Sequence, residues 1–236
     1  MAAHIGIVAC SAEGAALCYR TICAVGAEQL GPHDHPEVSV HSLPLARYVD
    51  HIERNDWRGV AGLMLASAEK LARCGPRFLI CPDNTVHQAF PFLEGRSPLP
   101  WLHIADVVAA EAVRRGYRKV GLTGTRWLVE SDVYPSRLKN HNISFVRPTR
   151  DERAEGNRII MAELVRGIFT AGQVAFYQRV ISRMRDQECD AVILGCTEIP
   201  LIMNDTNSPL PTLDSTRLLA RAAVARALDS DAARPG

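Results

Sequence analysis

Short runs of apolar residues recur along the chain, separated by longer stretches with helical periodicity. A continuous apolar run of about four to eight residues, bounded by turn residues, is typical of a strand that is buried on both faces. The sequence therefore predicts strands over residues 4–9, 38–41, 77–81, 101–104, 119–125, 143–146 and 191–194.

The amphipathic stretches between these runs predict the helices. One such stretch ends near residue 30, and the others cover residues 57–73, 106–115, 150–167, 171–187 and 215–229. Strands that alternate with helices indicate parallel sheets with helical crossovers, so the predicted fold class is α/β.

The second half of the chain repeats the first in outline. Residues 119–125 echo residues 5–11, since each segment has an apolar strand that contains a glycine and ends in a small hydroxyl residue. Duplication is the economical explanation, and it predicts two pseudo-symmetric lobes, each with a mainly parallel four-stranded sheet flanked by helices. We expect residues 1–100, completed by the C-terminal helix 215–229, to form the first lobe. Residues 101–214 would form the second, with the active site in the cleft between the lobes.

The charge balance argues against a polyanionic partner. The 27 basic and 26 acidic residues nearly cancel, so no electrostatic footprint for nucleic acid or an anionic membrane is predicted. No apolar run approaches the roughly 20 residues that span a bilayer. The first residues also lack the basic flank and apolar core of a signal peptide. The expected location is the cytoplasm, and the expected partner is a small molecule.

The cysteines are odd in number and include no Cys-x-x-Cys pair: Cys10, Cys18, Cys23, Cys74, Cys81, Cys189 and Cys196. This spacing indicates neither a disulfide framework nor a zinc module. The glycines form neither G-x-G-x-x-G nor G-x-x-x-x-G-K, the patterns typical of dinucleotide and phosphate sites. We therefore expect reduced thiols, no metal and no cofactor.

Two of the predicted strands end in loops that carry reactive side chains. Residues 191–194 lead to Cys196 after one glycine, and residues 78–81 lead to Asp83 after one proline. Open α/β sheets build their sites at the carboxyl ends of strands, so both side chains are candidate site residues. Taken singly, each loop could equally hold an ordinary helix cap, with Asp83 or Thr197 as the N-cap residue. A helix that began just after Cys196 would favour the reactive thiolate.

Three motifs together resemble a known family. They are Asn-Thr-Val-His at 84–87, Gly-Cys-Thr-Glu-Ile-Pro at 195–200 and Asp-Ser-Thr-Arg-Leu at 214–218. Each is similar to a motif of the cofactor-independent aspartate/glutamate racemases, and the likeness spans nearly the whole chain. The resemblance implies two α/β lobes, usually in a homodimer, that invert the α-carbon of an acidic amino acid, aspartate or glutamate. Two opposed acid/base residues would do this without pyridoxal phosphate or metal.

The chain departs from the family's pattern at the first acid/base position. The family usually has a cysteine directly before Asn-Thr, whereas this chain has Asp83 there and Cys81 two positions earlier. Because two positions move a side chain by about 6 to 7 Å along an extended chain, we assign the first face of the substrate to Asp83. Cys196 is assigned the second face. The alternatives for the first face of the substrate are Cys81 or no protein group at all.

The two assigned groups are unequal acids. The reference pKa is about 3.9 for an aspartate and about 8.5 for a cysteine. An aspartate is therefore a poor proton donor at neutral pH unless its surroundings raise its pKa. This mismatch predicts unequal handling of the two faces.

The strand ends also supply groups that could bind the substrate's carboxylates: Ser11, Asn84, Thr85, Thr125 and Thr197. Each of these could instead be an ordinary turn or cap residue. Arg47 and Arg166 lie in segments that resemble the family's basic substrate contacts, or they are solvated surface arginines.

Two further residues are predicted to support the acid/base groups. His87 could orient Asp83 or the substrate, or it could lie in the first turn of the next helix. Glu198 could support Cys196 or favour the amino end of a helix. Leu219 stands where some family members carry a histidine near the second thiol, so other groups must stabilise a Cys196 thiolate.

Two other functions remain open from the sequence. A related carbanion enzyme, either a malonate-type decarboxylase or a cis–trans isomerase, would share the scaffold and the second thiol. A non-catalytic amino-acid-binding protein would share the scaffold alone. Exchange of the substrate's α-hydrogen in deuterium oxide separates a racemase from a protein that only binds.

Overall fold

The computed structural model describes the backbone of residues 2–232 and the side chains of residues 2–229. The chain divides into two units. The first consists of the chain up to Ile104 together with the segment from Thr216 onward, and the second runs from Ala105 to Ser215.

Each unit contains one parallel sheet of four strands, as the sequence predicts. In chain order the strands of the described residues are β1 (Ile5–Ala9), β2 (Val38–Ser42), β3 (Phe78–Ile80), β4 (Trp101–Leu102), β5 (Lys119–Gly124), β6 (Ser144–Val146), β7 (Ala191–Gly195) and β8 (Thr212–Asp214). The first sheet has the order β2-β1-β3-β4 and the second β6-β5-β7-β8. The two sheets therefore share one topology, and the α/β fold class is confirmed.

Helices connect successive strands within each unit. The α-helices of the described residues are α1 (Ala12–Leu30), α2 (Leu45–Glu53), α3 (Trp57–Ala72), α4 (Ile104–Arg114), α5 (Arg126–Glu130), α6 (Val133–Lys139), α7 (Arg150–Ala162), α8 (Ala171–Asp186) and α9 (Ser215–Ala232). Short 3₁₀ helices occupy Thr85–Phe92, Leu164–Arg166 and Ile199–Leu201. None of the described helices is both long and apolar enough to cross a bilayer.

Strands β1, β3 and β7 are buried at every position, which explains their unbroken apolar runs. All five residues of β1 and all five of β7 are buried. A parallel strand covered on both faces has no solvent side on which polar residues could alternate.

Several short elements of the structure were not predicted from the sequence. Helix α2 has no side-chain cap at its amino end, and α5 and α6 are too short for an amphipathic period to stand out. The single helix predicted over 150–167 is two elements, because the backbone leaves the α region at Glu163 before the 3₁₀ turn. The last helix extends to Ala232, three residues beyond the predicted end.

Close backbone packing explains the two glycines that end β5 and β7. Gly124 and Gly195 are register partners in the second sheet. A Cβ atom on Gly195 would lie 2.6 Å from the Thr123 carbonyl oxygen and 2.7 Å from Leu128 Cδ2. At Gly124 the φ angle is +151°, and a Cβ atom there would lie 2.8 Å from the Gly195 carbonyl oxygen. The strand end that delivers Cys196 therefore requires glycine.

Replacing Gly195 with alanine should destabilise the protein. We expect Gly195→Ala to lower the free energy of unfolding by about 1 to 3 kcal/mol, since the added methyl group overpacks a backbone contact. Urea unfolding monitored by circular dichroism measures the change. The matched control is Gly62→Ala, an exposed site inside α3 with nothing within 4 Å of its Cβ position. That change should stabilise by about 0.5 to 1 kcal/mol. Equal unfolding midpoints for Gly195→Ala and the parent protein would contradict the packing argument.

Candidate active site

Asp83 is bound by the turn that joins β1 to α1. One of its carboxylate oxygens accepts a hydrogen bond from the Cys10 amide at 3.2 Å, and both lie 3.3 Å from the Ser11 amide nitrogen. Strands β1 and β3 are parallel neighbours, with Ile7 opposite Ile80, so the segments that follow them meet at one edge of the sheet. Backbone amides before a helix are a natural anion site, and here the anion is a side chain of the protein.

Ser11 serves as the N-cap of α1. Its hydroxyl accepts a hydrogen bond from the Gly14 amide at 3.2 Å. The cap role that the sequence left open is therefore present at Ser11. The same residue uses its own backbone amide to hold Asp83.

Two buried thiols lie beside the Asp83 carboxylate. Cys10 is 3% exposed and Cys81 is fully buried. The two sulfur atoms and a carboxylate oxygen of Asp83 all lie within 4.8 Å of one another. Burial, and then the neighbouring Cys81 and Asp83, raise the pKa of the Cys10 thiol well above its usual value, although the hydroxyl of the buried Tyr48 opposes the shift. The Cys10 thiol is therefore protonated at neutral pH.

The Asn-Thr-Val-His motif follows Asp83. Its first residue, Asn84, precedes the 3₁₀ helix Thr85–Phe92, and its other three residues begin that helix. His87 is buried, its ring stacks on Phe90 with centroids 4.4 Å apart, and its Nε2 lies 3.0 Å from the Cys81 carbonyl oxygen. Because a carbonyl only accepts, this hydrogen bond places a proton on Nε2. His87 therefore fixes the backbone of the loop that carries Asp83. Asn84 is buried, and Thr85 is half-buried.

In the second unit, Cys196 follows β7 directly and contacts a carboxylate. Its Sγ donates to Glu198 Oε2 at 2.9 Å, and the Thr197 hydroxyl donates to the same oxygen at 2.7 Å. All three residues are buried. The helix expected after Cys196 is a single 3₁₀ turn, Ile199–Leu201. The Glu198 side chain therefore contacts the thiol directly, and the element that follows is a short turn rather than a long helix.

Tyr177 of α8 interacts electrostatically with Cys196 and Glu198. Its side chain is 2% exposed. Burial, followed by the charges of Cys196 and Glu198, raises the pKa of its hydroxyl well above the usual value. Tyr177, Cys10 and Tyr48 were not predicted as site residues from the sequence. Of these three, only Cys10 carries a signal in the sequence, because it directly follows a strand as Cys196 does.

The other predicted site residues are placed as follows. The Thr125 hydroxyl accepts from the Leu128 amide at 3.2 Å and caps α5. Arg47 in α2 and Arg166 in its 3₁₀ turn are exposed. Leu219 is fully buried in α9, so it contributes apolar packing and no titratable group.

The chain matches one family over most of its length. The family model described as Asp/Glu/Hydantoin racemase matches residues 7–223. The broad specificity amino-acid racemase RacX of Bacillus subtilis (strain 168) is 24% identical over 191 residues, which cover 81% of this chain and 82% of that protein. These matches confirm the resemblance predicted from the three motifs.

Solved structures agree with this match. A candidate Asp/Glu racemase from Yersinia pestis superposes with a TM-score of 0.86 at 32% identity, covering 96% of this chain and 99% of that one. An aspartate racemase homologue from Pyrococcus horikoshii OT3 gives 0.82 at 27% identity, covering 95% and 99%. The two-sheet α/β architecture is therefore shared with these proteins.

The raised pKa of Cys10 predicts slow alkylation of this thiol in the native protein. At about pH 8 we expect iodoacetamide to label Cys10 at least about 100-fold more slowly than the exposed Cys74, because only the thiolate reacts and Cys10 is both protonated and buried. Peptide mass spectrometry after timed quenching measures both rates. In urea the two rates should converge. Equal labelling in the native protein would show that Cys10 is neither buried nor protonated.

Proposed function

Because the chain belongs to the Asp/Glu/hydantoin racemase family, we propose that it is a racemase or epimerase that inverts the α-carbon of aspartate or glutamate. The reaction would use two protein groups for proton transfer and no pyridoxal phosphate or metal. The observation that carries the proposal is Cys196, a buried thiol at the end of β7 whose proton points at the carboxylate of Glu198. That contact orients the thiol through a hydrogen bond to the carboxylate.

The proposed chemistry needs one base and one acid in opposite protonation states. In one direction the Cys196 thiolate removes the α-proton, and the Asp83 carboxylic acid returns a proton to the opposite face. The products are the other enantiomer, a Cys196 thiol and an Asp83 carboxylate. The reverse reaction uses the same groups with their roles exchanged. Both groups must therefore reach one α-carbon.

Glu198 is the proposed supporting residue for Cys196. It accepts from the thiol and from the Thr197 hydroxyl through one oxygen. This carboxylate orients the Cys196 side chain and would accept the hydrogen bond of the thiol that forms when the α-proton is removed. On the other face, His87 supports Asp83 indirectly, since it binds the Cys81 carbonyl in the same loop.

Substrate carboxylates are proposed to bind hydroxyl and amide groups at the strand ends. The hydroxyls of Ser11 and Thr125 accept from helical amides, and a hydroxyl that accepts can still donate its own proton. Asn84 and Thr85 supply further donors, and the Thr197 hydroxyl would have to turn from Glu198 to a substrate carboxylate. Arg47 and Arg166 are both exposed, so their proposed role is attraction of a side-chain carboxylate rather than a buried ion pair.

The proposal extends to location and assembly. A homodimer is what the family resemblance implies, and the cytoplasm is the location expected from the sequence. Sedimentation velocity at micromolar protein tests the dimer, and a monomer would refute that part of the proposal.

Proton NMR in deuterium oxide tests the racemase directly. We expect the α-hydrogen of aspartate or glutamate to exchange with solvent deuterium in the presence of the protein. Cys196→Ala should slow this exchange by about 100-fold or more, which is the usual contribution of an acid/base group. A panel that includes neutral amino acids is worthwhile because RacX is described as having broad specificity.

The matched control for Cys196→Ala is Cys189→Ala. Cys189 is also a buried thiol of the second unit but belongs to no part of the proposed machinery. It should leave exchange unchanged. The racemase proposal fails if no amino acid exchanges its α-hydrogen, or if Cys196→Ala exchanges as fast as the parent. Calorimetric binding of an amino acid without exchange would identify a binding protein instead.

A specific observation favours a second candidate, a decarboxylase or isomerase that uses only the Cys196 face. Two backbone amides hold the Asp83 side chain, and hydrogen bonds donated to a carboxylate favour its charged form. A permanently charged Asp83 could not donate a proton. Asp83→Asn separates the candidates, because it should reduce a racemase by about 100-fold or more and leave a one-sided enzyme substantially active on a substituted malonate or maleate.

A further inference from the structure

The site of the first unit contains more ionisable groups than proton transfer requires. Cys10 follows β1, and Cys81 and Asp83 follow β3. Their two sulfur atoms and one carboxylate oxygen lie within 4.8 Å of one another. Proton transfer on one face of a substrate uses only one of these groups. The two thiols are therefore unexplained by the proposed reaction.

We propose that Cys10, Cys81 and Asp83 form a binding site for Zn²⁺, with two thiolates and one carboxylate oxygen as ligands. The proposal goes beyond the racemase function and does not depend on it. It departs from the expectation that the chain binds no metal. That expectation rested on local spacing, and here Cys10 and Asp83 are 73 positions apart.

The geometry suits a tetrahedral ion. Zinc binds cysteine sulfur at about 2.3 Å and carboxylate oxygen at about 2.0 to 2.2 Å, so tetrahedral ligands stand about 3.5 to 3.8 Å apart. The present separations of 4.8 Å or less need only small side-chain adjustments to reach that distance. Three protein ligands leave a fourth position for water or an anion.

The charges of the cluster also suit a divalent cation. With both thiols ionised, the three groups would carry about three negative charges in a space that is buried at the two thiols and half-buried at Asp83. A Zn²⁺ ion would neutralise two of these charges. The Cys10 and Ser11 amides at the start of the long helix α1 already donate to Asp83 and favour the remaining negative charge. On binding, zinc would displace both thiol protons to the solvent.

Neighbouring groups already hold the ligands in place. The Asp83 carboxylate is fixed by the two amides, and the Cys81 sulfur lies 3.9 Å from the Asp83 carbonyl oxygen. His87 holds the Cys81 carbonyl at 3.0 Å. Such outer contacts orient metal ligands and commonly change metal affinity by about 10- to 100-fold when removed.

The ligand types select zinc over the abundant hard cations. Thiolates bind Zn²⁺ and related soft ions strongly, whereas Mg²⁺ and Ca²⁺ prefer sites made of oxygen. If the thiols merely pack as small apolar groups, no metal will bind there. The two explanations therefore give opposite results with the purified protein.

Cobalt titration is the proposed experiment. Metal-free full-length protein is titrated with Co²⁺, which replaces zinc in tetrahedral sites and gives a thiolate-to-cobalt charge-transfer band together with intense visible bands. We expect these bands to saturate at about one equivalent per chain, to be displaced by Zn²⁺ and to be unaffected by excess Mg²⁺. Zinc retained after desalting, measured by atomic emission, should give the same ratio.

Variants of the proposed ligands then show which residues bind the metal ion. Cys10→Ser and Cys81→Ser should each remove most of the charge-transfer intensity and weaken zinc binding by more than about tenfold, and Asp83→Asn should weaken it while keeping the sulfur bands. Circular dichroism checks that each variant is folded.

Cys189→Ser and Cys196→Ser are the matched controls. Both replace buried thiols of the second unit, and both should bind cobalt as the parent does. Cys196 is included because it contacts a carboxylate of its own. A shift of the cobalt site to that pair would therefore be detected.

The proposal is overturned if the parent protein shows no thiolate-to-cobalt band and retains no zinc. It is equally overturned if Cys196→Ser, rather than Cys10→Ser or Cys81→Ser, removes the bands. These readouts use no catalytic measurement, so failure of the racemase proposal would leave them unchanged, and their failure would leave the racemase proposal standing.

Discussion

The hydrogen bonds from two backbone amides to the Asp83 carboxylate are the contact on which the first unit's site depends. They form because β1 and β3 run parallel as neighbours and end at the same edge of the sheet. Cys10 and Cys81 then lie beside the carboxylate as a consequence of the same register. The same constraint acts in the second unit, where the glycines that end β5 and β7 bring the two backbones close.

The two units share a sheet order but place different chemistry at the strand ends. In the first unit backbone amides hold a carboxylate, and in the second a side-chain carboxylate accepts from a thiol. A hydrogen bond to a carboxylate favours its charged form, whereas in the second unit the carboxylate accepts a hydrogen bond from a neutral thiol. One topology has thus produced two unlike acid/base environments.

The proposed zinc site and the proposed racemase both use Asp83. A Zn²⁺ ion on the Asp83 carboxylate would strongly favour its charged form, so the metal-bound carboxylate could not act as the proton donor. The two roles would therefore exclude one another at any moment. The buried thiols Cys10 and Cys81 distinguish the roles, since they would bind the metal but take no part in the proton transfer assigned to Asp83 and Cys196.

The sequence by itself determined the described strands other than β8, the alternation with helices, the α/β class and the racemase family, because buried parallel strands and strand-end motifs leave local signals in the order of residues. It also placed Cys196 directly after its strand. The sequence offered support of Cys196 by Glu198 as one of two alternatives, and the structure shows that contact, since the thiol donates to the carboxylate. Only the tertiary structure showed that Cys10 joins Cys81 and Asp83 and that Tyr177 lies near Cys196 and Glu198. Those two relations depend on which strands are neighbours and which helix face meets the sheet. Contacts between residues more than 70 positions apart leave no periodic trace in a single sequence.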